Sequence, residues 1–173
     1  MVVKPIRLQY EDLGIEGFYR SNVNYENFHK KNVRELLEEN HQNLPLYDVL
    51  DMSAGDGLVT TTLQSLDYQN IEGSDPYLSD LYTKNTGLRC MNLDFKSIVM
   101  YGLPKKYSCV ICSFALHLCE KSMLPSLLWR ISESTTSFVV ISPSKFPFIG
   151  EPSVEKFSLT QSKKRVHYRV YYK

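Results

Sequence analysis

Residues 47–59 read Y-D-V-L-D-M-S-A-G-D-G-L-V, and no other stretch restricts the fold so tightly. Apolar Val49 and Leu50 lead into Asp51. Small residues with Gly55 and Gly57 follow, and the V-T-T-T-L-Q-S-L after them continues as a helix. Strand, tight turn and helix start, in that order, are how an α/β sheet makes a nucleotide-sized pocket. Glycine permits positive φ and lets backbone N–H groups come close to a ligand. Two glycines alone also fit a plain strand-to-helix turn, so this one takes its meaning from its surroundings.

Length and composition bound those surroundings. At 173 residues there is room for one sizeable core and too little for two ordinary domains. With 43% hydrophobic residues, 23% charged residues and a formal charge of +1, the chain reads as a soluble globular protein whose main work is not gripping phosphates. No apolar run approaches the roughly 20 residues that span a membrane. The opening M-V-V-K-P-I-R lacks the apolar stretch of a signal peptide. Cys90, Cys109, Cys112 and Cys119 fall in or beside apolar strand-like runs. Cys109 and Cys112 form a C-x-x-C, but residues three apart in a strand point to opposite faces and chelate a metal poorly. Buried free thiols, no metal and a reducing, cytoplasmic compartment are therefore expected.

Residues 1–25 read as an irregular, aromatic-rich arm, and from Asn27 the pattern is helical, with Phe28, Val33, Leu36 and Leu37 on one face. A strand over about 48–51 and a helix to about 65 follow. Next come a strand over 70–74 closed by Asp75 and Pro76, a short helix over 78–85 and a thin strand over 90–93. Residues 107–114 form a nearly apolar strand, as when both sheet faces are covered. A helical region from 116 to 131 and a strand over 138–142 complete the alternation. Pro143, Pro147 and Pro152 make the next stretch irregular. The last segment, from residue 164, is strand-like and expected antiparallel at the sheet edge, paired with a short strand over 157–160. The fold class is α/β: a doubly wound, mostly parallel, Rossmann-like sheet with an antiparallel C-terminal edge strand and a crevice at the C-terminal strand ends. Residues 1–173 are read as one domain, with residues 1–45 forming an arm and helix over that crevice.

Three acids, Asp51, Asp75 and Asp94, fall where the first three strands are expected to end. Asp75 is placed to hold a ribose diol between paired acceptor oxygens. Asp94, followed by Phe95, is placed to take an adenine amino group while apolar side chains cover the ring.

These pieces carry a resemblance. V-L-D-M-S-A-G-D-G, I-E-G-S-D-P-Y, N-L-D-F and Y-S-C-V-I-C-S-F-A-L-H-L resemble, in order and spacing, a class I S-adenosylmethionine-dependent methyltransferase across essentially the whole chain. The resemblance implies a methyltransferase with S-adenosylmethionine as cofactor. It places the turn of Ser53, Ala54, Gly55 and Gly57 beneath the methionine part and Asp75 at the ribose, with Asp51 and Pro76 as further cofactor-binding residues. Asp94 and Phe95 fall at the adenine, and Ser113, Phe114 and Ala115 on the pocket floor. The family usually has glycine at the place of Ser53; serine fits there provided that φ is negative. The arm N-V-N-Y-E-N-F-H-K-K resembles the Y-x-N-P-H segment of an uncharacterised small branch, with Phe28 where proline is usual. Tyr19, Tyr25 and Asn27 then become candidate acceptor-binding residues. The same aromatics equally serve to pack the N-terminal helix on the sheet. A nicotinamide dehydrogenase shares the fold class and fits less well, since it lacks the fourth-strand segment.

Methyl transfer needs positioning and desolvation, with a base only where the acceptor is protonated. His117 and His29 are the candidate bases; His41 and His167 read as surface groups. The absence of N-P-P-Y or D-P-P-Y after strand four argues against amide or exocyclic-amine acceptors. A small-molecule acceptor is the first expectation. The alternatives are RNA or protein methylation with a partner, or a catalytically silent scaffold, and the small size suits a homodimer or protein partner. Residues 151–173 hold Lys156, Lys163, Lys164, Arg165, Arg169 and Lys173 against Glu151 and Glu155, a basic edge that suits nucleic acid. An edge strand guarded by charge explains the same pattern.

Overall fold

The structure, a computed structural model, describes residues 12–14, 17, 18, 21 and 29–173. Helix α1 (Lys30–Asn40) forms because Val33, Leu36 and Leu37 recur at helical spacing and are fully buried. It leads through a single 3₁₀ turn (His41–Asn43) to β1 (Val49–Met52), α2 (Leu58–Ser65) and β2 (Ile71–Ser74). Then come α3 (Ser79–Thr86), β3 (Cys90–Met91), α4 (Phe95–Tyr101) and β4 (Cys109–Ser113). Helix α5 (Leu124–Ser134), β5 (Ser137–Ser142), β6 (Val154–Leu159) and β7 (Arg165–Tyr172) complete the chain.

The seven strands lie in the order β3-β2-β1-β4-β5-β7-β6. The first five are parallel, and β7 runs antiparallel to both β5 and β6. Strand β1 is central: Asp51 sits between Gly73 of β2 and Ile111 of β4. The period of two along β4 sends Cys109 and Ile111 to one face, where they meet Leu36, Leu37 and Leu63 of α1 and α2. Val110 and Cys112 go to the other face, with Ile98 of α4 and Leu127 and Ile131 of α5. The cysteines are free thiols on opposite sides of the sheet, as the C-x-x-C spacing implies; Cys109, Cys112 and Cys119 are buried and Cys90 is half-buried.

Four features differ from the sequence expectation or sharpen it. Asp51 lies inside β1, because the strand continues through buried Met52. Helix α4 replaces a bare connection. It starts where the Asp94 side chain accepts a hydrogen bond from Ser97 N at 2.7 Å, an N-cap that satisfies one of the first-turn amides. Both strands of the C-terminal hairpin form, but β7 is inserted between β5 and β6, so the outermost strand is β6. Val166 through Val170 are all buried, a run too apolar for an edge, whereas β6 is shorter and mostly exposed. His167 lies in that run and is buried rather than a surface group, with Nδ1 3.5 Å from Glu155 Oε1.

Residues 143–153, which join β5 to β6, contain no helix. On the α4–α5 side, β6 therefore shows Phe157 and Leu159 half-exposed. Buried Arg169 ties this connection down, donating from Nη1 to Lys145 O at 2.9 Å and from Nη2 to Ser142 Oγ at 3.2 Å.

Candidate functional site

A cleft of about 190 Å³ opens at the C-terminal ends of β1, β2 and β4. Its wall is built from four short segments: Ser53–Asp56, Asp75–Tyr77, Asp94–Lys96 and Ser113–Ala115. Leu58, Val59, Leu118, Cys119, Glu120 and Met123 complete it.

The loop after β1 takes its shape from three residues with positive φ: Ser53 at +57°, Gly55 at +56° and Gly57 at +80°. Ser53 thus sits in the left-handed region, contrary to the negative φ that would suit serine. The hydrogen bonds of Ala54 N to Ser74 O (2.9 Å) and Gly57 N to Ala54 O (2.9 Å) hold the turn on either side. At Gly57 the glycine is also a matter of space, since a Cβ would fall 2.5 Å from Thr86 Cγ2.

Asp75 fastens this loop to the next one. Its Oδ2 accepts from Gly55 N at 2.9 Å, and its Oδ1 accepts from Tyr77 N and Leu78 N at 2.8 Å each. A carboxylate offers about four acceptor positions, and these three donors leave one of them over in a residue that lines the cleft. Asp94 stands at the N-cap of α4, three residues past β3, with its pKa held down by the hydrogen bond from Ser97. Phe95 beside it lines the cleft.

Asp51 lies beneath the loop rather than in the lining, 1% exposed. Its Oδ2 accepts from Thr60 N (3.1 Å) and Thr60 Oγ1 (2.7 Å), and Tyr82 OH stands 3.1 Å from the same Thr60 hydroxyl. Since that hydroxyl's one proton goes to Asp51, the Tyr82 OH donates to Thr60. Oδ1 of Asp51 is buried with no hydrogen-bond partner, and burial pushes the pKa of this carboxyl up to about 7. Ser113 Oγ, in the cleft wall, is likewise buried and unpartnered.

Phe114 follows with a φ of +56°, a conformation bulky residues rarely adopt. Its N–H donates to Ile141 O at 2.8 Å, and its ring stacks on His29 with centroids 4.9 Å apart. His29 is half-buried at the start of α1, and burial together with the charge of Lys164 lowers its pKa. His117 is exposed on the 3₁₀ turn Leu116–Leu118 and lies outside the lining.

Of the residues expected at the site, Ser53, Ala54, Gly55, Asp75, Pro76, Asp94, Phe95, Ser113, Phe114 and Ala115 come together in one wall. Asp51 and Gly57 shape that wall from behind, and His29 reaches it through Phe114. Tyr19, Tyr25 and Asn27 lie outside the described residues. Sequence reasoning missed Asp56, Tyr77, Lys96 and the 118–123 stretch. Asp56 was within sight, inside A-G-D-G; its carboxylate is 3.8 Å from Lys30 Nζ. Among the described residues, no group of three or more His, Cys, Asp or Glu is arranged to hold a metal ion. No helix among them is long and apolar enough to cross a membrane.

No protein-family profile matches the chain. An uncharacterized protein of Schizosaccharomyces pombe is 37% identical over 81 residues, covering 43% of this chain and 33% of that protein, so the match spans about a third of the relative's length. Among solved structures, magnesium protoporphyrin IX methyltransferase of Synechocystis PCC 6803 with bound S-adenosylmethionine is similar over 99% of both chains, with a TM-score of 0.65 at 13% identity. The complex of DhpI with S-adenosylmethionine gives a TM-score of 0.58 at 11% identity, over 95% of this chain and 80% of its own. The 16S rRNA methylase RmtB gives 0.59 at 13% identity, over 84% and 64%. The strand order and these likenesses define the class: the chain has the fold of the class I S-adenosylmethionine-dependent methyltransferases.

Proposed function

We propose that this chain is an S-adenosylmethionine-dependent methyltransferase. The observation that carries the reading is the hydrogen bond of Gly55 N to Asp75 Oδ2, which joins the glycine turn and the β2 carboxylate into one wall of the cleft. The donor set suits the cofactor. Asp75 has an acceptor position left over for a ribose hydroxyl. Asp94 and Phe95 would hold the adenine, and Pro76 would border it. The unpartnered Ser113 Oγ and Asp51 Oδ1 are buried acceptors with no donor from the protein. When bound, S-adenosylmethionine supplies a methyl group already activated by its sulfonium.

The chain's own tasks are then to orient and desolvate. Ser53, Ala54 and Gly55 give a close backbone floor. Phe114, Ala115, Leu118 and Met123 make part of the lining apolar and favour the exclusion of water. His29, stacked on Phe114 and with its pKa lowered by burial and the charge of Lys164, is the first candidate to take a proton if the acceptor carries one. His117 is the second candidate for that task, from outside the wall.

Calorimetric titration with S-adenosylmethionine tests the reading. The intact protein should bind it, and Asp75→Asn, which keeps one carbonyl acceptor for the loop amides, should bind at least tenfold more weakly. Absence of binding by the intact, folded protein overturns the proposal.

A further inference from the structure

The end of the sheet that carries the cleft also gathers cations. Helix α1 starts there with Lys30 and Lys31, since Asn32 Nδ2 bonds Ser158 Oγ and Leu159 O at the C-terminal end of β6. Lys96 is in the first turn of α4 in the cleft wall, and Lys121 follows the turn after β4. The turn between β6 and β7 adds Lys163, Lys164 and Arg165, all exposed. Lys96, Lys121, Lys163 and Lys164 have no ion-pair partner among the described residues. Acids stand at this end too, Asp56, Asp75, Asp94 and Glu120 in the cleft wall, so the cations that stand clear of them are those of Lys163, Lys164 and Arg165. At the opposite end Lys105 is neutralised by Asp48 and Glu72 at 3.0 and 2.9 Å, and Arg130 pairs with Glu133 at 3.3 Å.

The basic turn is connected to the cleft. Phe114 lines the cleft and His29 stacks on Phe114, while Asn32, three residues on in α1, is hydrogen-bonded to Ser158 and Leu159 at the end of β6, next to the turn. From β4 to β6 across the strand tops is three strand spacings, about 14 Å, long enough for more than one backbone phosphate. At its far end the Arg165 guanidinium lies 4.5 Å over the half-exposed ring of Phe157, on a sheet flank that the connection 143–153 leaves without a helix of its own. An exposed aromatic–guanidinium pair beside unpaired lysines is a stacking platform for unpaired bases. An acidic protein segment would use the lysines and leave the ring idle.

We propose that the acceptor-bearing ligand is single-stranded RNA, whose backbone runs from the cleft past Phe114 and His29 to the Lys163–Arg165 turn, with a base on the Phe157–Arg165 pair. This rests on the cleft being a methyl-transfer site, and it names the substrate class of that site.

The test is fluorescence anisotropy with a labelled single-stranded RNA of about 20 nucleotides, between about 50 and 200 mM salt. Three neutralised phosphates give a logarithmic salt slope of about −2, which is about 20-fold weaker binding over that range. The triple variant Lys163→Glu, Lys164→Glu, Arg165→Glu should lose at least tenfold in affinity. Phe157→Ala should lose about threefold or more without changing the salt slope. Lys84→Glu, at the far end of α3, should change nothing. The inference is overturned if the intact protein does not bind RNA at the lower salt, or if the triple variant binds as the intact protein does. Equal affinity for a duplex of the same sequence or for polyglutamate overturns it as well. S-adenosylmethionine titrations of the same samples check that the variants are folded and separate two failures. Cofactor uptake without RNA binding sinks this inference alone; RNA binding without cofactor uptake sinks the methyl-transfer reading.

Discussion

Ser53 holds a backbone conformation in which a Cβ costs roughly 1–2 kcal/mol. Glycine there removes that cost and adds about 0.5–1 kcal/mol of backbone entropy to be lost on folding. Ser53→Gly should therefore stabilise the protein by about 0.5–1 kcal/mol, read as a rise of roughly 1–4 °C in melting temperature. A fall would mean that the serine hydroxyl supports the loop in a way that the φ angle does not reveal. Asp51 argues in a different direction, through pH. Its carboxyl has a pKa of about 7 in the folded protein against 3.8 for the ordinary group, so between those values the folded state keeps a proton that the unfolded chain has released. Stability from this group is complete below about pH 4 and is lost as the pH rises through 7. Asp51→Asn keeps an acceptor for Thr60 and removes the titration. Denaturant melts from pH 5 to pH 8 should be flatter for the variant, and the variant should be the more stable protein at pH 8.

At the scale of elements, the connection between β5 and β6 depends on one buried side chain. Arg169→Ala removes the donors to Lys145 O and Ser142 Oγ, and should cost about 1.5–3 kcal/mol. Limited proteolysis should then cut first at exposed Lys145, before any site in the parallel strands. The elements also show what a sequence discloses. Strand β4 was plain because S-C-V-I-C-S is apolar on both faces, and β1 with its glycine turn because few other arrangements use those residues. Helix α4 was not, since F-K-S-I-V-M-Y is short and rich in β-branched and aromatic residues; its only start signal, Asp94 with Ser97, reads equally as a strand end. The places of β6 and β7 depend on which of two neighbouring strands is buried, which pairing decides and local pattern does not. Within the site, the strand-end carboxylates were legible from spacing. The 118–123 wall was not, because residues after a strand reveal their direction only once the turn is known. The positive φ of Ser53 was hidden for the same reason. The small-molecule acceptor first expected from the chain's size gives way, in the proposal above, to a larger ligand, because the cations and Phe157 come together only in the folded sheet.

For the molecule as a whole, cofactor binding and stability are linked. At a concentration 100 times its dissociation constant, S-adenosylmethionine should stabilise the protein by about 2.7 kcal/mol. For a chain of this size that is a rise of roughly 5–10 °C in melting temperature, measurable by calorimetry or dye fluorescence. No shift at saturating cofactor would contradict the proposed site. The strand order also sets a timetable for synthesis. Val49 in the central strand pairs with Cys109, so β1 lacks one neighbour until about 60 further residues have been made. At roughly 5–20 residues per second that wait is about 3–12 s, and β7 needs a similar interval again. The glycine turn, Asp75, Asp94 and Ser113 are all in place before the lysines of the β6–β7 turn have been added. A nascent chain thus completes the wall of its cleft before the Lys163–Arg165 stretch exists.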